Sequence, residues 1–499
     1  MKVFVFSTHP MWPSHYETDL EIIENHIDAN DEIFHFTCYG VLKSCDMNLT
    51  HDFETCFRCA DITNCGRKLL SKAVTTLPII KLNPKKRAEI NEFVKSHEYI
   101  SLEELQNISY QNFDVGYGVS SSLISMNRDS KPKLSSYAEE TFNLMVSSIE
   151  VYESVLSYIY QIKPDKVYAF NGRFSHVKAI LRACQLAGVT CYLHDRGADM
   201  SKYYLWKDTI PHDREYTVKI IEDYWRKADE NVRVSIGEEF YKERVMGKNQ
   251  GWYSFTKHQE KRLPDNWDPK KKNIIIFNSS EDEFASVGPE WKNPVYSDQI
   301  TGIRAILEDL QFEKDICIYL RIHPNLKDVT DEYTRALYNL NCENLTILKP
   351  DSAISSYELL FNASTVVTFG STMGIEAVYW GIPSISVGVS MYSDLHATYQ
   401  PVSHAEIIEL IKSELRPSPC EPALKYGFFY KSFGIDYKLY KPADILSGQF
   451  KTVNIQLQFS FLRSVYSKLL ALPIANRLFR KFERTYRKKK WKLSFLQSR

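Results

Sequence analysis

Nine short runs of apolar, β-branched and aromatic residues, most of them ending in small polar residues, are spread along this chain of 499 residues, with stretches of helical spacing between them. Such alternation dictates parallel sheets covered on both faces, because two parallel strands need a crossover long enough to hold a helix. KVFVFST (2–8) is followed by ETDLEIIENHID with helical spacing, then by EIFHFTC (32–38). KVYAFNG (166–172), the helix HVKAILRACQLAG (176–188) and TCYLHD (190–195) repeat the pattern, with Gly188 where a helix-ending glycine belongs. A second series begins at NIIIFNSS (273–280) and runs through DICIYLRIHP (315–324), LTILKP (345–350), TVVTFG (365–370) and PSISVG (383–388). Helices are expected between these strands, near 299–312, 328–340, 355–363 and 372–381. The polar, aperiodic stretch 245–272 between the two series is expected to be a connector.

At this length two cores are expected rather than one. The fold class is α/β, with two Rossmann-like domains facing a cleft, and ligand-binding side chains belong just beyond the strands' carboxyl ends. In the second series those positions hold NSSEDE (278–283), RIHPN (321–325), KPDS (349–352) and GSTMGIE (370–376). Gly370 permits a tight turn, after which Ser371 and Thr372 set hydroxyls and unpaired N–H groups at a helix N-terminus, which favours a phosphate. Glu376, one turn further, is placed to reach a ribose or sugar hydroxyl. The competing reading is a plain N-cap with Glu376 as its capping partner. His323, held by Pro324 and flanked by Arg321 and Asn325, suits donation to a phosphate or polarisation of a leaving group; a purely structural histidine is the alternative.

Residues 273–415 resemble bacterial capsule and surface-polysaccharide glycosyltransferases of the GT-B fold, through RIHPN, VVTFGSTMGIEAVYWGIPSISVG and FNSSEDEF. The HP dipeptide and small-hydroxyl motif are similar to those with which sialyl- and Kdo-type transferases hold a cytidine nucleotide, and transferases that use CDP-glycerol share such features. The resemblance implies a nucleotide-sugar donor, CMP- or CDP-linked by preference, held by Arg321, His323, Ser371, Thr372 and Glu376, with Ser279 and Ser280 along its phosphates. Residues 1–244 then form the acceptor domain, 245–272 the connector, 273–440 the donor domain and 441–499 a basic amphipathic tail. Inverting transfer needs a carboxylate or histidine to take the acceptor proton. FNGRFSHVKAILRACQLAG followed by LHDRGAD looks like an arrangement in this group, which makes Asp195 the expected base and His9 the second candidate. Arg173 and Arg196 would stabilise a diphosphate or an anionic acceptor; a salt bridge from Asp195 to Arg196 or a neighbour is the rival role. The implied activity is metal-independent transfer of a sugar to a capsule or lipopolysaccharide glycan. A polyol-phosphate transferase, a sugar-nucleotide epimerase and a non-catalytic nucleotide-sugar or glycan-binding protein are the alternatives.

Five cysteines fall between 38 and 65, in the spacing C-x6-C-x10-C-x2-C-x5-C. Cys38, Cys45, Cys56 and Cys59 form the expected tetrad for a structural zinc, with Cys65 or His51 as replacements, an iron–sulfur cluster as another occupant and buried thiols as the alternative. From 461 to 499 the chain carries 12 Lys and Arg against one acid, which leaves the first 460 residues a net charge near −11. Interleaved with Leu, Phe and Trp491, that tail is expected to lie on an anionic membrane face, where lipid-linked glycan acceptors are presented. A helix packed across the domains is the competing reading. No nucleic-acid partner is expected of a chain whose body is acidic and lacks a binding motif. With no run resembling a signal or a membrane span, a cytoplasmic protein peripheral to the inner membrane is expected.

Overall fold

The structure, a computed structural model, describes residues 1–458 apart from 252 and 330. The strands, in chain order, are β1 (Lys2–Ser7), β2 (Glu32–Thr37), β3 (Thr75–Pro78), β4 (Lys166–Phe170), β5 (Cys191–Arg196), β6 (Lys202–Lys207), β7 (Lys272–Phe277), β8 (Ile316–Arg321), β9 (Leu345–Leu348), β10 (Thr365–Phe369), β11 (Ser384–Gly388) and β12 (Ile435–Asp436). They build two sheets, of order β12-β6-β5-β4-β1-β2-β3 and β11-β10-β7-β8-β9. The two Rossmann-like domains expected from the alternation are the ones the chain adopts.

β1 through β5 pair in parallel, as do all five strands of the second sheet. The central strands are near-continuous apolar runs because both of their faces are covered: Val3, Phe4, Val5 and Phe6 are all fully buried, as are Ile274, Ile275 and Ile276. Helix Ala138–Ile162, 25 residues long, and helix Ser175–Ala187 pack on one face of the first sheet, and their apolar stripes merge with Phe4, Phe6 and Phe36 in one core. In the second domain, Ile303, Ile306 and Leu307 of helix Gln299–Leu310 close one face, and Tyr357, Leu359 and Leu360 close the other.

Periodicity did not anticipate β3 and β6. β3 is a four-residue edge strand ending in Pro78, half exposed and too short to alternate visibly. β6 runs antiparallel to β5 after a turn of five residues, so no helix intervenes to announce it. The connector is more than a linker. Its main chain bridges to the second domain, Glu260 N–H donating to the Ala353 carbonyl at 2.6 Å, and Gln259 Oε1 accepts from Ser356 N–H at 2.9 Å.

After β11 the chain forms helix Glu421–Ser432, which packs on helix Glu230–Val245 so closely that a Cβ on Gly427 would lie 2.4 Å from the Gly237 carbonyl. It then returns to the first sheet as β12, antiparallel to β6. The buried Glu21 carboxylate fixes this return, accepting main-chain N–H groups of Lys438 (2.8 Å), Leu439 (3.0 Å) and Tyr440 (3.1 Å). Residues 461–499, on which the membrane-binding expectation rests, lie outside the described residues.

Replacing the Glu21 carboxylate removes the acceptor of three main-chain donors, of which the Tyr440 N–H is buried. Glu21→Ala is expected to lower stability by about 2–3 kcal/mol, read as a fall in the urea midpoint; an unchanged midpoint would contradict the role assigned to this contact.

Candidate functional site

In the second sheet the strand order reverses between β7 and β10, and crossovers leave these neighbours toward opposite faces, opening a crevice beyond their carboxyl ends. A cavity of about 460 Å³ occupies it, walled by Asn278, Arg321, His323, Ser371 and Thr372 and closed on one side by Tyr253 and Phe255 of the connector. Gly370 turns the chain at its edge with φ +87°, and a Cβ there would sit 2.8 Å from the Val389 carbonyl oxygen. Only glycine meets both conditions without strain.

His323 is held at both ends. Its N–H donates to Asn278 Oδ1 at 2.8 Å, and its Nδ1 accepts from Asn325 N–H at 3.2 Å. An accepting Nδ1 places the ring proton on Nε2. Burial, with the charges of Arg321 and Arg128 adding to it, holds the pKa down to about 4, so the imidazole is a neutral donor. Ser371 is tied by its carbonyl to Tyr392 Oη at 2.7 Å and receives Met373 N–H on its Oγ at 3.3 Å.

The other expected donor ligands have different surroundings. Arg321 is buried, and its guanidinium donates to the carbonyls of Lys349 (2.7 Å) and Ser352 (3.3 Å), binding the loop after β9 to the end of β8. Glu376 does not reach the cavity as a sugar ligand: it is fully buried, paired with Arg244 Nη2 at 2.9 Å and accepting from Tyr357 Oη at 2.6 Å. Removal from water makes an unpaired carboxylate costly, and Arg244 supplies the compensation. Arg244 in turn donates to Thr372 Oγ1 at 3.1 Å. Of the capping alternative, Thr372 makes no side-chain cap bond and Glu376 is turned to Arg244, while Ser371 Oγ receives Met373 N–H at the helix start. Ser280 is buried against Asp282, and Ser279 faces a second, larger cavity.

Across the cleft, Asp195 stands half-buried at the end of β5. Asn171 Nδ2 donates to one carboxylate oxygen at 2.7 Å and Arg196 N–H to the other at 2.8 Å. The contact with Arg196 is thus through its main chain; its guanidinium donates to the Ile445 carbonyl at 3.1 Å. Sequence reasoning missed His15, the first residue of helix His15–Asp28. Its Nδ1 is buried without a hydrogen bond, 4.0 Å from Asp195 Oδ1, and burial holds its pKa well below the usual imidazole range. Nothing in HPMWPSHYE distinguishes this histidine from a core residue.

His9 is not available as an alternative base. It is buried against Trp12 and Phe170, with Nδ1 on Thr8 Oγ1 at 2.7 Å and Nε2 3.3 Å from Asp46. His176 approaches the same Asp46 oxygen at 3.2 Å. Burial opposes ionisation of Asp46, but His176 and His9 outweigh it and keep its pKa below the ordinary carboxylate range. Arg173 bridges the domains: one end donates to the Glu283 carbonyl, the other to Ser125 Oγ at 3.0 Å, and the charges of Glu283 and Asp195 both act on it.

The zinc tetrad is not formed. Among the described residues, no group of three or more His, Cys, Asp or Glu side chains is arranged to hold a metal ion. Cys56 and Cys59 lie within helix Phe53–Lys68 rather than in a loop that wraps an ion. Cys45 and Cys59 are near enough to the other thiols to feel their charge, but burial dominates and pushes both pKa values well up.

No family model and no curated protein matches the chain. Among solved structures it is similar to KpsC of Thermosulfurimonas dismutans, a β-Kdo 2,4 transferase, at 12% identity over 53% of this chain and 79% of that one, with a TM-score of 0.36. It is also similar to the UDP-GlcNAc 2-epimerase of Neisseria meningitidis, solved with UDP-GlcNAc, at 13% identity over 85% of this chain and 98% of that one, with a TM-score of 0.28. Overlaps this loose leave the chemistry of this chain to its own residues. Those residues define a two-domain α/β protein with a polar cavity at the switch point of one sheet and a histidine–aspartate cluster at the strand ends of the other.

A histidine kept neutral by burial binds its proton more weakly in the folded than in the unfolded chain. Its stabilising contribution is therefore full above about pH 6.5 and is lost as the pH falls toward the folded value. For His35, fully buried with a pKa of about 3, the loss between pH 7 and pH 5 is about 2 kcal/mol, and His9, His15 and His323 shift in the same direction. The melting temperature is expected to drop over this interval, and a flat profile would contradict the neutral assignments.

Proposed function

We propose that the protein is a glycosyltransferase that moves a sugar from a nucleotide-activated donor to a surface-polysaccharide acceptor, of the capsule or lipopolysaccharide kind. The observation that carries this is the cavity between the β7 and β10 loops, where a neutral His323 presents its Nε2–H beside Ser371 and Thr372. Such donors suit the phosphate oxygens of a donor and stabilise the charge that develops as the nucleotide leaves. Tyr253 and Phe255 supply rings for the nucleobase. The cytidine preference rests on the HP and small-hydroxyl motifs alone.

In the proposed reaction the acceptor hydroxyl oxygen bonds to the anomeric carbon. The bond from that carbon to the donor's phosphate oxygen breaks, its electron pair leaving with the nucleotide. The hydroxyl proton passes to Asp195. Arg173, between Asp195 and the donor loop, aligns the two halves of the site. The basic segment 461–499 is proposed to hold the enzyme against an anionic membrane surface where lipid-linked acceptors are displayed. No helix among the described residues is long and apolar enough to cross a membrane.

Asp195→Asn is expected to slow donor turnover by about two orders of magnitude or more while nucleotide still raises the melting temperature, and His323→Ala should weaken the nucleotide shift itself. A thermal-shift panel of CMP, CDP, UDP and GDP reads the base, with the cytidine nucleotides expected to stabilise most. Full turnover in Asp195→Asn would remove the assigned base. Conversion of a UDP-sugar to its epimer without any acceptor would replace transfer with epimerisation.

A further inference from the structure

A second cavity, of about 1010 Å³, lies between the 99–138 region of the first domain and the 279–299 region of the second. It is more than twice the size of the donor cavity and at the upper end of the range for small-molecule sites. The two are back to back. Asn278 faces the donor side while its neighbour Ser279 faces the larger cavity, and Ser279 is clamped by Gln299, which both accepts its N–H and donates to its carbonyl at 3.1 Å. Val389, whose carbonyl abuts Gly370, lines the same wall.

We propose that this cavity binds an acidic oligosaccharide, the growing end of the acceptor glycan. The inference rests on the transferase reading for the word acceptor, but not for the glycan. The rings of Tyr99, Phe284 and Tyr296 supply apolar faces of the kind pyranose rings stack on, and three exposed ammonium groups stand at the lining: Lys292, paired with Glu103 at 3.7 Å, Lys131, and Lys133, which no carboxylate among the described residues pairs. Lys131 is anchored by Asp298 at 2.5 Å, which is itself buried. A planar nucleobase and diphosphate would not need this length of mixed wall, and a lipid chain would leave the Lys133 ammonium without an anionic partner. Both domains contribute to the cavity, so a bound chain would also stabilise the closed cleft that brings Asp195 toward the donor.

An array of acidic and neutral bacterial-type oligosaccharides, probed with wild-type protein and with Lys133→Glu, tests this directly. Wild-type protein is expected to retain acidic oligosaccharides, Lys133→Glu to bind them about tenfold more weakly, and excess CDP or UDP not to compete. Phe284→Ala, a neutral truncation, should weaken the same glycans. Retention of neutral glycans equally well, no retention at all, indifference to Lys133→Glu, or competition by nucleotide would each overturn the assignment. If wild type cleaves no donor but still captures acidic glycans, the transferase reading fails and this site stands.

Discussion

Parallel pairing is the constraint from which the rest of this molecule follows. Each crossover carries the chain back to the same edge, so every strand of a parallel series delivers its loop to one end of the sheet. In the second domain the order reverses between β7 and β10, and there alone no crossover covers the gap between neighbouring strands. The polar loops 278–283 and 370–376 flank that gap because the topology leaves them nowhere else to go. The first domain repeats the logic with β1, β4 and β5, whose ends collect His9, Asn171 and Asp195 together with His15 and His176 at the starts of the helices that follow.

A buried polar framework holds these loops still. Glu376 is buried behind the 460 Å³ cavity and paired with Arg244 and Tyr357, which line it; Arg321, also in its wall, spans the ends of β8 and β9, and Asp46 draws two histidines together under Trp12. Charges removed from water are stabilising only when their partners are well placed, and breaking one member leaves the others exposed to the desolvation penalty. These pairs fix the loops that carry His323, Ser371 and Thr372 at the cavity wall.

Much of this was legible in the chain itself. The nine strand runs fall on nine observed strands, and His323, Ser371 and Thr372 line one cavity as their strand-end positions require. What was not legible came from contacts distant in sequence. Glu376 follows the small-hydroxyl motif like a ligand, but Arg244, 132 residues away, captures it. Ser279 shares a loop with Asn278 but lines the larger cavity, its Oγ 3.6 Å from where a Cβ on Gly370 would lie, and Ser280 is turned to Asp282. The cysteine spacing suggested a metal knuckle; a helix capped by Asp52 takes up two of the four thiols instead. His15 carries no local signal, because its meaning comes from Asp195 on a strand 180 residues later.

Hydrogen exchange with and without a cytidine or uridine nucleotide tests the central claim most directly. Protection gathered at 278–283, 321–326 and 370–373, with Tyr253 and Phe255 beside them, is the result expected if the crevice beyond β7 and β10 seats the donor. Slowed exchange confined to other strand ends, with these loops unchanged at saturating nucleotide, would contradict it.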